Sequence, residues 1–381
     1  MARSDLRPVV VLGATGSIGS QTLDVADRLR IPVVGLAAGH SSTALDDLAD
    51  RYPNAQVAVA AADGETPSRF RVGSEAVSEL ATIPGSVVVN GIVGAAGLEP
   101  TLAGLTAGNR VALANKESLL TGGPLVLEAL ATDGAELLPV DSEHSAIWQC
   151  MAGEDADRVK RVVLTASGGP FRGKSRQEMA EVSVDEALAH PTWEMGNRIT
   201  IDSATLMNKA FEVVEAHFLF GLDFDQIDVV VHPQSYIHAF VEFVDGVVKA
   251  EVGPPDMRKP IQVALTYPER ASDPHQHFDV VGTDLSFLAP DRTAFPALDL
   301  GYEAGRRGGN APAVLNAADE IAVTAFLDGL IPFTAITDIV SDSLDAVPHR
   351  SLERLGDCLA ADAAGRQAAT DAVHRIANIG R

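Results

Sequence analysis

The sequence predicts an α/β protein: a doubly wound parallel sheet in the first third, then a smaller α+β segment, then a helical C-terminal segment. Three observations carry this expectation. Apolar runs without polar alternation recur through roughly the first 140 residues, each leading into a helical stretch, as strands buried on both faces do. After Val159 the strands read as hairpin partners, and from about Phe295 the periodicity is helical and alanine-rich. A chain of 381 residues also exceeds one ordinary core, so two or three domains are expected.

In order, "PVVVLG" precedes "SIGSQTLDVADRLR", "PVVGLAAG" precedes a serine-capped segment, and "AQVAVAA", "SVVVNGIVG", "RVALAN" and "AELLPVD" follow. Such alternation builds a parallel sheet wrapped by helices. Further on, "VKRVVLTASGGPF" and "QIDVVVHPQSYIHAFVEFVDGVVKAEV" read as strands, the second turning at Asp245-Gly246. Its stretch at 236–244 is a candidate for pairing across a two-fold axis, which the spacing alone does not establish. The predicted domains are 1–141, 142–267 and 295–381, joined by a linker at 268–294 whose start is crowded with Pro, Asp and His.

A hydrophobic fraction of 46% and a charged fraction of 21% fit a globular enzyme. The net charge of −23 argues against sequence-independent binding to nucleic acid or an anionic membrane. Two cysteines, Cys150 and Cys358, are too few for a disulfide framework or a cysteine zinc site. The start "MARSDLRPVVVLG" lacks the apolar core of a signal peptide and no run reaches membrane-spanning length, so a cytoplasmic location is expected.

Four stretches carry candidate chemistry. In "VVVLGATGSIGSQTLDV", Gly13, Gly16 and Gly19 stand between a strand and a helix, where backbone N–H groups can meet a pyrophosphate. The alternative is a plain glycine-rich turn. This is the signature of a Rossmann-like domain, and the absence of an acid after the second strand, which ends at Gly39-His40-Ser41-Ser42, favours NADP over NAD. In "ELLPVDSEHSAIWQC" a strand ends in two acids. If extended, Asp141 and Glu143 point the same way and call for a cation between them; otherwise Asp141 caps a helix and Glu143 lies in its first turn.

In "DSATLMNKAFEVVEAHFLFG" the spacing predicts one helix, capped by Asp202 or Ser203 and ended by Gly221. Met207, Ala210, Val214 and Phe218 form its apolar stripe. Asn208, Lys209, Glu212 and Glu215 fall elsewhere, as a solvated face or as anion donors beside a metal ligand. Glu212 would add a third carboxylate, and three oxygen donors suit Mg²⁺ or Mn²⁺ better than zinc. The irregular "HPTWEMGNR" is either a lid or a loop whose Trp193 packs in the core. "TASGGPF" leaves its strand with Ser167 and two glycines, a phosphate-cradling shape or an ordinary turn.

Taken together, "GATGSIG", "ANKESLL", "PVDSEHSAI", "ASGGPF", "HPTWEMGNRITIDSATLMNKAFEVVEAHFLF", "HPQSYIHAFVEF", "PDMRKPIQVAL" and "GGNAPAVLNAADEIAV" resemble the 1-deoxy-D-xylulose-5-phosphate reductoisomerase family, in order and over nearly the whole chain. The resemblance implies NADPH at Thr15, Gly16, Ser17, Ile18, Gly39, Asn115, Glu117 and Gly196, with His40 and Ser41 where the family usually shows a basic residue and then Asn. It implies one Mg²⁺ or Mn²⁺, with Co²⁺ as a further option, on Asp141, Glu143 and Glu212. Those last two acids, Lys116 and Ser142 would meet the sugar's oxygens. Ser167, His190, Ser203, Asn208 and Lys209 would hold the rest of the phosphosugar, mostly its phosphate, and Trp193 would cover it. No role attaches to Glu194. Lys116, Asp141, Glu143 and Glu212 would carry the chemistry, and a homodimer is implied. Two other readings stand beside this one: a semialdehyde dehydrogenase using Cys150 as its thiol nucleophile, and a nucleotide sensor without chemistry.

Overall fold

A computed structural model describes residues 6–62, 66–193, 195–275 and 277–379. Glu194 lies outside them. The chain forms two compact units. The first takes the described residues as far as Ser118, with Gly123–Ser145 and Asp256–His275; the second takes Leu119–Gly122, Ala146–Pro255 and the described residues from 277 onward.

In chain order the elements begin with β1 (Val9–Leu12), α1 (Ser17–Leu29), β2 (Val33–Ala38), α2 (Thr43–Arg51), β3 (Gln56–Val59), β4 (Arg71–Val72), α3 (Ser74–Leu80) and β5 (Val87–Asn90). Then come α4 (Leu98–Thr106), β6 (Arg110–Leu113), α5 (Glu117–Leu130), β7 (Glu136–Pro139) and α6 (Ser142–Met151). After these run β8 (Val159–Ala166), α7 (Val184–Leu188), α8 (Asn197–Thr205), α9 (Met207–Phe220), β9 (Ile227–Val231), β10 (Ile237–Phe243) and β11 (Val248–Val252). The chain closes with α10 (Arg258–Thr266), α11 (Ala297–Arg307), α12 (Ala311–Leu327), α13 (Ala335–Ala346) and α14 (Leu355–Ile379).

In the first unit a seven-stranded sheet runs β4-β3-β2-β1-β5-β6-β7, parallel throughout. The valine-rich strands β1 (VVVL) and β5 (VVVN) are buried along their whole length, as a sheet covered on both faces requires. The direction of winding reverses between β1 and β5, which makes the carboxyl ends of those strands a switch point. The predicted boundary at 267 does not match this unit. The segment holding α10 packs on α1, β6 and β7, and so returns to the first unit from far along the sequence.

The second unit holds a mixed sheet, β11-β10-β8-β9, in which β8 pairs parallel with β9 and antiparallel with β10. The hairpin between β10 and β11 turns at Gly246, φ 86°, as expected. The 236–244 stretch, the candidate for pairing across a two-fold axis, is central: β10 has β8 on one side and β11 on the other, so the edges are β11 and β9. The C-terminal helices share one apolar core with this sheet and with α9, rather than forming a domain of their own.

One expected helix is two. Leu206 takes the left-handed conformation, φ 65°, and separates α8 from α9, so Asp202 and Ser203 lie inside α8 instead of capping a longer helix. Gly221 ends α9 at φ 64°, as predicted. Helix α9 is fixed by a close crossing with α11: a Cβ on Gly301 would stand 2.6 Å from the Ala210 carbonyl oxygen. Gly301→Ala should therefore destabilise the fold by ~1–3 kcal/mol. Gly356→Ala, with open space around its position in α14, should be neutral or slightly stabilising. Denaturant midpoints followed by circular dichroism compare the two; equal midpoints would refute the tight crossing.

Candidate functional site

Every candidate of the first unit lies just past the carboxyl end of a parallel strand. Thr15, Gly16 and Ser17 follow β1 and are exposed, with Ile18 half-buried behind them. Close packing explains the glycines here. A Cβ on Gly13 would come within 2.7 Å of the Gly91 carbonyl oxygen, and one on Gly19 within 2.6 Å of Ala14 O. The turn is locked by Gly13 N and Ala14 N, which both donate to Ala37 O at 2.9 and 2.8 Å. Gly16 then sits before the first turn of α1, its backbone extended. Past β2, Gly39 and His40 are exposed and Ser41 is half-buried. The Ser42 hydroxyl already accepts from Leu45 N at 3.2 Å as the cap of α2.

Asn115 and Glu117, past β6, brace the loop that leaves β5. Asn115 Nδ2 donates to Ile92 O at 2.5 Å, Gly94 O at 3.0 Å and Glu117 Oε2 at 2.9 Å. Glu117 Oε1 accepts from Gly94 N at 3.0 Å. Asn90, buried at the end of β5, belongs to the same brace: its amide donates to Gly97 O and Thr101 Oγ1, both at 2.8 Å. Asn90 carried no signal in "VVVN", because an asparagine closing a strand is ordinary until its partners are known.

At Asp141 the chain bends into α6 at once, so although carboxylate oxygens of Asp141 and Glu143 do lie within 4.8 Å of each other, the extended geometry is not formed. The helix-capping alternative is. The Asp141 carbonyl accepts from Ser145 N at 2.8 Å, and its Oδ1 accepts from Glu143 N at 3.2 Å. The side chain of this nearly buried acid also faces His144 Nδ1, 2.8 Å from Oδ1, and the Lys116 ammonium at Oδ2. Ser142 Oγ donates to Glu143 Oε2 at 2.5 Å.

The second unit holds two further groupings. The turn after β8 has Gly168 and Gly169 at φ 84° and 63°, and a Cβ on Gly169 would meet Ser203 O at 2.8 Å, so the turn lies directly against α8. Ser167 Oγ accepts from Gly169 N at 3.2 Å and lies 2.9 Å from His190 Nε2. His190 Nδ1 accepts from Thr192 N and Trp193 N at 3.1 and 2.9 Å, which makes Nδ1 bare and leaves Nε2 to donate to the serine. That is a neutral imidazole, and burial lowers the His190 pKa in the same direction. Trp193 is half-buried, edge-on to His238 with 6.4 Å between ring centroids, so it is neither a core residue nor a free one. Gly196, exposed, opens α8.

On α9, Asn208 Nδ2 donates to Glu212 Oε1 at 2.6 Å and the Lys209 ammonium pairs with Oε2. Lys209, Glu212 and Glu215 are nearly inaccessible, so the solvated-face alternative for this helix does not hold. The expected apolar stripe does: Met207, Ala210 and Val214 are wholly buried. Cys150 lacks the setting of a nucleophile. Burial pushes its thiol to about 11, with Glu251 adding to the rise, so it stays protonated at neutral pH.

Because His190 is neutral in the folded state and its pKa is depressed, the native state loses stability as pH falls below ~6.5, the ordinary histidine value, through the lower native one. Nitrogen-15 NMR of the ring should show bare Nδ1, protonated Nε2 and a midpoint below ~6.5. A midpoint at or above that value would contradict the assigned tautomer.

Comparisons with known proteins agree along the chain. Family models described as 1-deoxy-D-xylulose 5-phosphate reductoisomerase match residues 9–123, its C-terminal domain 137–220, and DXP reductoisomerase C-terminal domain 252–368. The 1-deoxy-D-xylulose 5-phosphate reductoisomerase of Xanthomonas campestris pv. campestris strain B100 is 48% identical over 96% of this chain and 97% of its own. That of Symbiobacterium thermophilum is also 48% identical, over 95% and 98%. Among solved structures, the Zymomonas mobilis enzyme in complex with NADPH superposes with a TM-score of 0.89 at 42% identity, covering 96% of this chain and 99% of that one. A DOX-P reductoisomerase in complex with NADPH, fosmidomycin and magnesium gives 0.90 at 39%, covering 97% and 98%. The chain belongs to the 1-deoxy-D-xylulose 5-phosphate reductoisomerase family.

Proposed function

We infer that this chain converts 1-deoxy-D-xylulose 5-phosphate into 2-C-methyl-D-erythritol 4-phosphate, an isoprenoid-precursor step of the methylerythritol phosphate pathway, with NADPH and a divalent metal. The observation that carries the reading is likeness at 48% identity, nearly end to end, to enzymes of that name. Solved relatives bound to NADPH and magnesium support the cofactors.

For the nucleotide we propose Thr15, Gly16, Ser17, Ile18, Gly39, His40, Ser41, Asn115, Glu117 and Gly196. Support comes from the rule that open parallel sheets bind ligands past their carboxyl ends at a switch point, and from the N–H groups that open α1. NADPH, when bound, supplies the hydride. His40 and Ser41 would meet its 2′-phosphate, and Ser42, whose oxygen accepts from Leu45 N as the cap of α2, keeps its own O–H to donate. Asn115 and Glu117 act through the 92–94 loop they hold in place.

For the metal we propose Asp141, Glu143 and Glu212. Carboxylate oxygens are the donors that Mg²⁺ and Mn²⁺ take, and Co²⁺ also accepts them, so the donor set fits. The ion, when bound, polarises the substrate's carbonyl and stabilises developing negative charge. Lys116 and Ser142 would meet the sugar's hydroxyls, and Lys116 is the candidate for moving a proton there. Ser167, neutral His190, Ser203, Asn208 and Lys209 would grip the phosphosugar, and Trp193 would exclude water over it. Phosphate grip far from the changing bonds can drive closure and orientation.

We also propose a cytoplasmic homodimer. Among the described residues no helix is long and apolar enough to cross a membrane. The edge strand β11 exposes Val248 and Val252, at 52% and 39%, which supports strand-edge association. Sedimentation should give one species of twice the chain mass, reduced to monomer by Val248→Lys with Val252→Lys; a monomeric parent would overturn this.

With 1-deoxyxylulose 5-phosphate and Mn²⁺, NADPH absorbance should fall with time. Chelation should stop the reaction and Mn²⁺ restore it. Glu212→Gln should cut turnover on the order of 100-fold or more. Undiminished turnover after thorough demetallation would sink the metal role.

A further inference from the structure

Helix α8, which carries Ser203, is tied to α12 by a buried cluster that the reaction itself does not use. Arg198 of α8 donates to Asn316 Oδ1 at 2.7 Å and to Glu320 Oε2 at 3.3 Å. Its guanidinium also faces Asp202 at 3.7 Å and Asp319 at 3.6 Å, both beyond a good hydrogen bond. Arg366 of α14 already holds Glu320 at 2.9 and 3.1 Å and Asp362 at 2.7 Å. Two arginines therefore face four acids. Asp319 is wholly buried, and neither of its oxygens receives a hydrogen bond from a donor of the chain. A buried carboxylate in that position is expensive, whereas a carboxyl group donating to a neighbouring carboxylate is satisfied.

We infer that Asp319 is a positioning residue: in the folded enzyme it shares one proton with Asp202, and this shared proton under Arg198 sets the pose of α8 and so of Ser203. The direction of its titration agrees. Burial raises the Asp319 carboxyl to about 6, Glu320 adds to the rise, and Arg198 and Asp202 oppose it. Those are the charged groups acting on it most strongly, with Arg366 and Asp362 behind Glu320. Helices α11 and α13 also pack on α12, and their buried side chains carry no charge. A raised carboxyl pKa means that folding takes up a proton between the ordinary aspartate value of ~4 and about 6. Stability thus falls as pH rises through that window and stays reduced above it.

The link to substrate rests on the reading of Ser203 given above; the shared proton does not. Asp319→Asn keeps the shape and donates from its amide at every pH. Thermal midpoints, carbon-13 shifts of labelled aspartate carboxyls, and kcat and KM for 1-deoxyxylulose 5-phosphate would be followed from pH 5 to 8. The midpoint of Asp319→Asn minus that of the parent should be larger at pH 8 than at pH 5 by ~2 °C. One aspartate signal titrating near 6 should vanish in the variant. The ratio of parent to variant KM should rise severalfold over that range while the ratio of kcat stays flat. Midpoints that differ equally at pH 5 and pH 8, or an unchanged set of titrating carboxyls, would refute the shared proton. Converging midpoints with a KM ratio independent of pH would refute the positioning role and leave the proton in place. Should the variant fail to fold, the parent's labelled carboxyls decide alone: no aspartate titrating near 6 overturns the proposal.

Discussion

A carboxylate taken out of water must find a cation or several donors, and this constraint shapes both units. Desolvating such a group costs several kcal/mol even after relaxation. Asp141 meets the cost with the Lys116 ammonium, the His144 ring and the first turn of α6. Glu212 meets it with the Lys209 ammonium and the Asn208 amide. In each case the counter-charge is lysine, a compact charge on a flexible stem. Arginine would have locked each carboxylate bidentately. On the metal reading proposed above, a divalent ion would compete for these oxygens with an ammonium that can swing aside.

Asparagines do a different task at the carboxyl ends of the parallel sheet. Asn90 and Asn115 together fasten the loop after β5, and a Cβ on Gly97 would press within 2.6 Å of the Asn115 side chain. A loop exposed to ligand on one side is thereby rigid on the other. In the nucleotide site proposed above, Asn115 and Glu117 would also act by holding this loop still.

Much of this was legible in the sequence, for identifiable reasons. Six of the seven parallel strands are continuous apolar runs, and only β4 escaped, being two exposed residues. The glycine turn and the Gly246 hairpin were legible because positive φ or close packing demands glycine there. Burial of Glu212 and Glu215 was not, since helical periodicity places a residue on a face without saying what covers that face. The return of α10 to the first unit was hidden for the same reason: a contact between residues far apart leaves no local mark. Sequence reasoning favoured neither fate for Asp141; the cap geometry decided it.

The break between α8 and α9 is the clearest case of a local rule overridden by packing. A left-handed non-glycine residue costs ~1–2 kcal/mol, and nothing in "SATLMNK" announces one. Burying a leucine side chain returns ~1.5–3 kcal/mol, and Leu206 is only 4% exposed. Glycine at 206 would relieve the backbone and forfeit the burial, so leucine is at least as stable there as the residue the conformation prefers. The outcome is a fixed bend between Ser203 and Asn208, with the Gly169 turn seated against the Ser203 carbonyl on its near side. Three short polar side chains, Ser167, Ser203 and Asn208, are thus carried on backbone whose φ angles are pinned by packing on both flanks. If these donors grip the substrate's phosphate as proposed above, they would need little reordering when it arrives, and its binding could be spent on closure instead of on organising the site.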